Sequence, residues 1–132
     1  MKDWSDVVHY FSGGAVAHLA TLDTDGSPHS VPLWIDRHGD SELVFFTIEG
    51  SRKDRNLARD PRVAVSVTAP DNAYDMASVR GVVVERVDGG RGQDIIDQIA
   101  RKYTGAAYPV RTGHVAFVVR PTAWWAQDHS SR

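Results

Sequence analysis

The apolar positions of the chain change period along its length. "WSDVVHYF" puts Trp4, Val7, Val8 and Phe11 at i, i+3, i+4 and i+7, which predicts one short amphipathic helix ended by Gly13 and Gly14. "AVAHLATL" and "PHSVPLWID" flank the turn-like "DTDGS" and predict a hairpin. After a second turn at "RHGD", the apolar run "ELVFFTI" at 42–48 predicts a buried strand. Ser51, followed three residues later by Asp54, forms an approximate capping box, and Pro61 ends the segment, so a helix is expected over about 51–60.

"RVAVSVTA" at 62–69 predicts a further strand, "PDNAYD" interrupts it, and "MASVRGVVVERV" at 76–87 resumes the β pattern. Glycines 89, 90 and 92 end that stretch as turn residues, and from Gln93 the residues Ile95, Ile96, Ile99, Ala100 and Tyr103 recur at helical spacing. "TGAAYPVRTG" carries no period and is expected as a loop. "HVAFVVRPTAWW" returns to strand with a bend at Pro121, and the tail "AQDHSSR" is expected to fray. About six mainly antiparallel strands with three short helices, and no regular βαβ alternation, predict an α+β barrel in one domain spanning residues 1–132.

Composition narrows the chemistry. The 132 residues contain no cysteine, which excludes a disulfide framework, a thiolate metal site and a Cys nucleophile. The six histidines show no HExxH or paired-ligand spacing, so no metal site is expected. No apolar run approaches the roughly 20 residues of a membrane span, and no signal-like start is seen, so no membrane partner and a cytoplasmic location are expected. A net charge of −2 argues against a general nucleic-acid binder.

Against that acidic balance, "GSRKDRNLARDP" concentrates Arg52, Lys53, Arg55 and Arg59 in one predicted helix. Arg52, Arg55, Asn56 and Arg59 fall on neighbouring positions, with Lys53 beside Asn56. Together with the Ser51 hydroxyl and the first-turn N–H groups, they suit a phosphate or carboxylate. A solvated face partly neutralised by Asp54 and Asp60 is equally consistent with the run. Trp34, Tyr74, Trp124 and Trp125 are candidate walls for a planar ligand or ordinary packing residues, and Trp124 and Trp125, being adjacent in a strand, should point to opposite faces. His18 and His29 are placed to meet across the predicted hairpin, as a structural or a functional pair.

The ordered series "ATLDTDGSPHSVPLWID", "ELVFFTIEGSRKDRNLARDPRVAVSV", "PDNAYDMASVRGVVV" and "HVAFVVRPTAWW" resembles the pyridoxamine 5′-phosphate oxidase-like split β-barrel proteins, most closely their deazaflavin (coenzyme F420)-dependent oxidoreductase branch. The most specific part is G-x-x-K-x-R-N-L-x-x-D-P-R-V, present as Gly50, Lys53, Arg55, Asn56, Leu57, Asp60, Pro61, Arg62 and Val63. The resemblance implies an FMN-binding type of split barrel and a homodimer with two cofactor sites at the subunit interface. Ser51, Lys53, Arg55 and Asn56 would hold the cofactor phosphate and nearby polar groups. Val31, Pro32, Leu33 and Trp34 would lie near the tricyclic ring, with Thr47 at a strand end beside it. The "NAYDM" segment, with Tyr74, would help close the site, and Trp125 would come from the partner subunit.

The reaction so implied is hydride transfer between reduced coenzyme F420 and an electron-poor small organic molecule. Tyr103 and Tyr108 are candidates for a proton donor or for packing, and no catalytic residue is assigned. Asp75 and Met76 depart from what a phosphate site would favour near its closing segment. FMN offers the same phosphate and tricyclic ring, so an FMN-dependent oxidoreductase and a non-catalytic flavin or deazaflavin carrier stand as alternatives.

Overall fold

The computed structural model describes residues 2–130. The N-terminal apolar stripe forms two 3-10 turns, Trp4–Asp6 and Val8–Phe11, instead of one α-helix. The bonds run from i to i−3, as in Val7 N to Trp4 O and Tyr10 N to Val7 O. A segment this short gains little from α-helical cooperativity, and tertiary burial of Val7, Val8 and Phe11 fixes it instead.

Seven strands follow: β1 (Ala17–Leu22), β2 (Pro28–Leu33), β3 (Ile35–His38), β4 (Glu42–Ile48), β5 (Arg62–Ala69), β6 (Asn72–Val87) and β7 (His114–Asp128). They form one sheet in the order β2-β1-β5-β6-β7-β4-β3, with every neighbouring pair antiparallel. The seventh strand arises because "PHSVPLWID" divides at Trp34: β2 pairs with β1, whereas β3 pairs with β4. β2 and β3 are the two outer strands of the sheet, yet Trp34 alone separates them. One residue spans only about 3.5 Å of extended chain, so the sheet must curl until its edges meet. The result is the expected α+β split barrel.

Inside it pack Leu19, Ile35, Phe45, Val65, Val79 and Phe117, with the Phe45 and Phe117 rings stacked at 5.2 Å. β6 and β7 are long and bulged, with register shifts at Arg80/Gly81 and Val83/Glu85. Such bulges bend strands and let one pair serve both faces of a barrel. Two helices remain: α1 (Arg52–Arg59) and α2 (Gly89–Thr104). α2 lays Ile95, Ile96 and Ile99 against Val44, Ala116 and Val118, a second core outside the barrel.

Several boundaries differ from expectation. Asn72–Asp75 belong to β6, because "PDNAYD" supplies only a two-residue turn at Pro70 and Asp71. The glycines before Gln93 open α2: a Cβ at Gly92 would lie 2.4 Å from Val87 O, so helix and strand approach more closely there than any side chain permits. Residues 126–128 continue β7, with Gln127 opposite Met76 and Asp128 opposite Asp75, while the last two residues of the tail lie outside the described residues. His18 pairs with Pro32 and His29 with Thr21, so the two histidines do not face each other.

Candidate functional site

α1 begins where Gly50 takes φ +76°, a left-handed turn out of β4 that a side chain would strain. Ser51 Oγ accepts from Asp54 N at 3.3 Å, and Asp54 Oδ2 accepts from Gly50 N at 2.8 Å, a variant of the capping box in which the acid reaches one residue before the N-cap, the Ser51 N–H being taken by Ile48 O. Asp54 is also gripped by Arg86 of β6 through two bonds of 2.9 Å. The guanidinium, aided by Gly50 N, holds the Asp54 carboxyl below its usual range. The start of α1 is thereby fastened to the sheet.

The cations of this helix separate into two sets. Arg52 donates to both Asp23 oxygens, and Arg59 donates to Leu22 O at 2.7 Å and Asn56 Oδ1 at 2.9 Å. Asn56 Nδ2 donates to Thr21 Oγ1 and Asp23 Oδ1, each at 3.0 Å. Hydrogen bonds from Arg52 and Asn56 hold the Asp23 carboxyl down at about 2. These three residues therefore bind α1 to the β1–β2 turn. Among the described residues, Lys53 and Arg55 have no acidic partner.

Arg55 stands with Arg52, Asn56 and Arg59 on a cleft of about 520 Å³ whose other wall is Asp23, Thr24 and Asp25. Lys53 does not line that cleft. It shares the inward arc of α1 with the buried Asn56 and Leu57 at i+3 and i+4, and burial pushes its ammonium pKa down. A half-buried ammonium without a counter-charge is an incomplete pairing. In the same turn the buried Thr47 and the half-buried Ser51 share a hydroxyl hydrogen bond of 3.0 Å. The Ser51 and Thr47 hydroxyls and the Lys53 ammonium thus lie at the beginning of α1, donor groups of the kind a phosphate takes, while Arg55, two positions beyond Lys53 and so on another side of the helix, faces the basic cleft.

The second group lies at the edge where the barrel splits. Val31, Leu33 and Trp34 are half-buried and Pro32 is exposed. Trp34 stacks on Tyr103 at 4.9 Å with the planes 10° apart, and Leu33, Trp34, Phe46 and Tyr108 border a cleft of about 220 Å³. The Tyr103 hydroxyl donates to Ala15 O at 2.6 Å and accepts from Ile35 N at 2.9 Å. Its proton is committed to bracing the β2–β3 crossover, and burial raises its pKa. Of the two candidate tyrosines, only Tyr108 has a hydroxyl without a hydrogen-bond partner among the described residues.

Two expected site residues do not join either group within one chain. Tyr74 is 66 % exposed, and Trp125, 50 % exposed, lies opposite Ser78 and borders a small cleft with His18, Ser66 and Met76. Trp124 points the other way, edge-on to Trp4 at 5.2 Å, as strand alternation requires. Asp75 accepts a hydrogen bond from Tyr10, which raises the tyrosine to about 12.

Sequence reasoning missed Thr21, Asp23 and Arg86, the partners that decide which cations are free. Asp23 did carry a signal, as an acid in the turn facing the basic helix, but Arg86 lies 32 residues from Asp54 and only the barrel joins them. Among the described residues no group of three or more histidine and acidic side chains is placed to hold a metal ion.

Comparison with known proteins follows the same lines. The sequence model described as pyridoxamine 5′-phosphate oxidase matches residues 8–128. The pyridoxine/pyridoxamine 5′-phosphate oxidase of Yersinia pestis is 38% identical over 47 residues, 36% of this chain and 22% of that protein. The Yersinia enterocolitica protein of the same name is 36% identical over 47 residues, again 36% and 22% of the two chains. The matched segment is thus about a fifth of the length of these curated relatives.

Among solved structures, an F420 reductase superposes with a TM-score of 0.78 at 29% identity, covering 95% of this chain and 98% of the other. A conserved hypothetical protein from Mycobacterium tuberculosis gives a TM-score of 0.82 at 22% identity, covering 98% and 87%, and speaks to the fold alone. With the match spanning nearly the whole split barrel, the chain belongs to the pyridoxamine 5′-phosphate oxidase family.

Proposed function

We propose that the protein is an oxidoreductase that binds coenzyme F420 and passes hydride between the reduced deazaflavin and an electron-poor small organic molecule. The observation that carries this reading is that Lys53 and Arg55, in the first turns of α1 after the Ser51 cap, have no acidic partner among the described residues although the chain carries a net charge of −2. The F420 reductase, similar over nearly the full length of both chains, favours a deazaflavin. When bound, that cofactor supplies the hydride.

The protein's part is binding and orientation. Lys53, Arg55, Ser51 and Asn56 would hold the phosphate and nearby polar groups, Asn56 by exchanging one of its two amide N–H bonds, made to Thr21 and Asp23 in the free chain, for the cofactor. Val31, Pro32, Leu33 and Trp34 would bear on the ring, with Thr47 at its edge. Tyr74 and Trp125, too exposed to be packing residues of one chain, suit a homodimer in which each subunit completes the other's site. The same reading takes residues 1–132 as one split-barrel domain. It needs no residue in the role of catalytic acid.

FMN is the second reading, favoured by the 47-residue likeness to pyridoxine/pyridoxamine 5′-phosphate oxidases and by a donor set that takes either phosphate. A carrier without turnover is the third. Parallel titrations with deazaflavin and FMN, followed by tryptophan quenching in wild type and Lys53→Ala, separate them. Tighter deazaflavin binding that weakens in the variant supports the proposal. Preference for FMN moves the protein to flavin chemistry, and binding without turnover over a panel of acceptors makes it a carrier. Failure to bind either cofactor removes the proposal.

A further inference from the structure

Residues 105–113, between α2 and β7, contain no helix or strand. Nine such residues would ordinarily be free to move. Here one carboxylate anchors them. Asp97 of α2 is only 7 % exposed and accepts from Arg111 Nη1 at 2.8 Å, Arg111 Nη2 at 3.0 Å, Tyr108 N at 3.2 Å and Gln93 Nε2 at 3.3 Å. Arg111 Nη1 also donates to Tyr108 O at 2.9 Å, and Gln93 Nε2 to Val110 O at 3.3 Å. The backbone N–H and C=O of Tyr108 are therefore both held by the Asp97–Arg111 pair.

A buried carboxylate is costly unless it is paired and hydrogen-bonded, and Asp97 meets that condition only while the loop holds this position. What it fixes is the Tyr108 ring, 5.0 Å from Phe46 and 5.2 Å from His114, both edge to face, and 6.2 Å from Trp34 at 87°. The ring forms one wall of the cleft of about 220 Å³ shared with Leu33, Trp34 and Phe46. That volume lies below the roughly 300–1,000 Å³ of drug-sized pockets and suits a single flat ring system. The wall has an apolar lining, aromatic faces for stacking, and one phenol whose hydroxyl is free.

We propose that this cleft is the acceptor site, taking one planar, electron-poor ring, and that Asp97 and Arg111 are positioning residues that set Tyr108 as its wall. This rests on the oxidoreductase reading above. A bound reduced deazaflavin would supply a hydride to the acceptor ring and release its ring N–H proton to solvent as it is oxidised. A proton from water completes the two-electron reduction, so a quinone becomes a quinol.

The test uses 1,4-naphthoquinone as probe, with binding read by tryptophan quenching and turnover by reoxidation of reduced deazaflavin. Tyr108→Ala, which leaves the Asp97–Arg111 pair in place, should raise the naphthoquinone Kd and KM about two- to tenfold, the range of lost aromatic contacts. Arg111→Ala should do the same and Arg111→Lys should recover part of it, while deazaflavin Kd stays within about twofold in all three. An unchanged naphthoquinone Kd in Tyr108→Ala overturns the ring site. Equal losses of cofactor and probe affinity overturn the positioning role. Absent turnover with intact probe binding overturns the oxidoreductase reading and leaves the ring site standing.

Discussion

The two clefts beside the expected cofactor residues are built in opposite ways. The basic cleft draws Arg52, Arg55, Asn56 and Arg59 from a single stretch of eight residues, and most of that polarity is consumed by the β1–β2 turn opposite. The aromatic cleft draws Leu33, Trp34, Phe46 and Tyr108 from three separate segments, and its walls are held by aromatic packing and by one ion pair between the buried Asp97 and the exposed Arg111. A local run of charge thus overstates the free charge, because the fold places acids against it. A site assembled from distant apolar residues leaves almost no trace in the sequence, because each residue taken alone looks like packing.

The contrast is most strongly broken at Asp54. Replacing it with Ala removes the capping bond to Gly50 N and leaves Arg86 without its partner. Because Arg86 is partly exposed and can rehydrate, the expected loss is about 1–3 kcal/mol, less than for a fully buried pair. A denaturant midpoint lowered with an unchanged slope would record it. A stability equal to that of wild type would mean that α1 is held by packing alone.

On the aromatic side, Tyr103→Phe keeps the stack on Trp34 but deletes the hydroxyl that bridges Ala15 O and Ile35 N. We expect a cost of about 1 kcal/mol with no change in probe binding at the cleft, measured by thermal melting beside a naphthoquinone titration.

The electrostatic construction of the basic cleft predicts an acid limb. Asp23 sits at about 2 in the folded chain against an ordinary 3.8, so its contribution is present above pH 4 and is lost as pH falls through 2. Because the partner Arg52 is open to water while Asp23 is only partly buried, the effect is small and screened by salt. Asp23→Asn should remove that part of the acid dependence of melting, and an acid limb identical to wild type would refute the assignment.

The smallest effect is expected at Tyr10 and Asp75, which line neither cleft. Tyr10, raised to about 12 by its bond to Asp75, contributes fully below pH 10 and progressively less as pH rises through 12. Tyr10→Phe should flatten the alkaline limb of stability, and an unaltered limb would place its cause elsewhere.

How much of this was legible depends on sequence distance. The capping box of α1 was visible because Ser51 and Asp54 are three residues apart and their bonds are local. The strands β4, β5 and the start of β7 were visible because their alternation or apolar runs are local too. The break at Trp34 was not, since "PHSVPLWID" is β-prone throughout and only closure of the barrel requires the chain to change edges there. Nor could composition show that Arg52 and Arg59 are occupied while Lys53 and Arg55 are free: Asp23 and Leu22 lie 29 and 37 residues away. The turn chemistry of glycines 89, 90 and 92 concealed the start of α2, where close helix packing outweighs low helix propensity.

The central claim is that the uncompensated cations, and not the paired ones, hold the cofactor. Deazaflavin titration of four single alanine variants, at Arg52, Lys53, Arg55 and Arg59, tests it in one series. The account predicts that Lys53→Ala and Arg55→Ala each weaken binding about ten- to a hundredfold, the worth of a charged hydrogen bond, while Arg52→Ala and Arg59→Ala change it far less. Equal losses at all four positions, or a loss confined to Arg52 and Arg59, would contradict it.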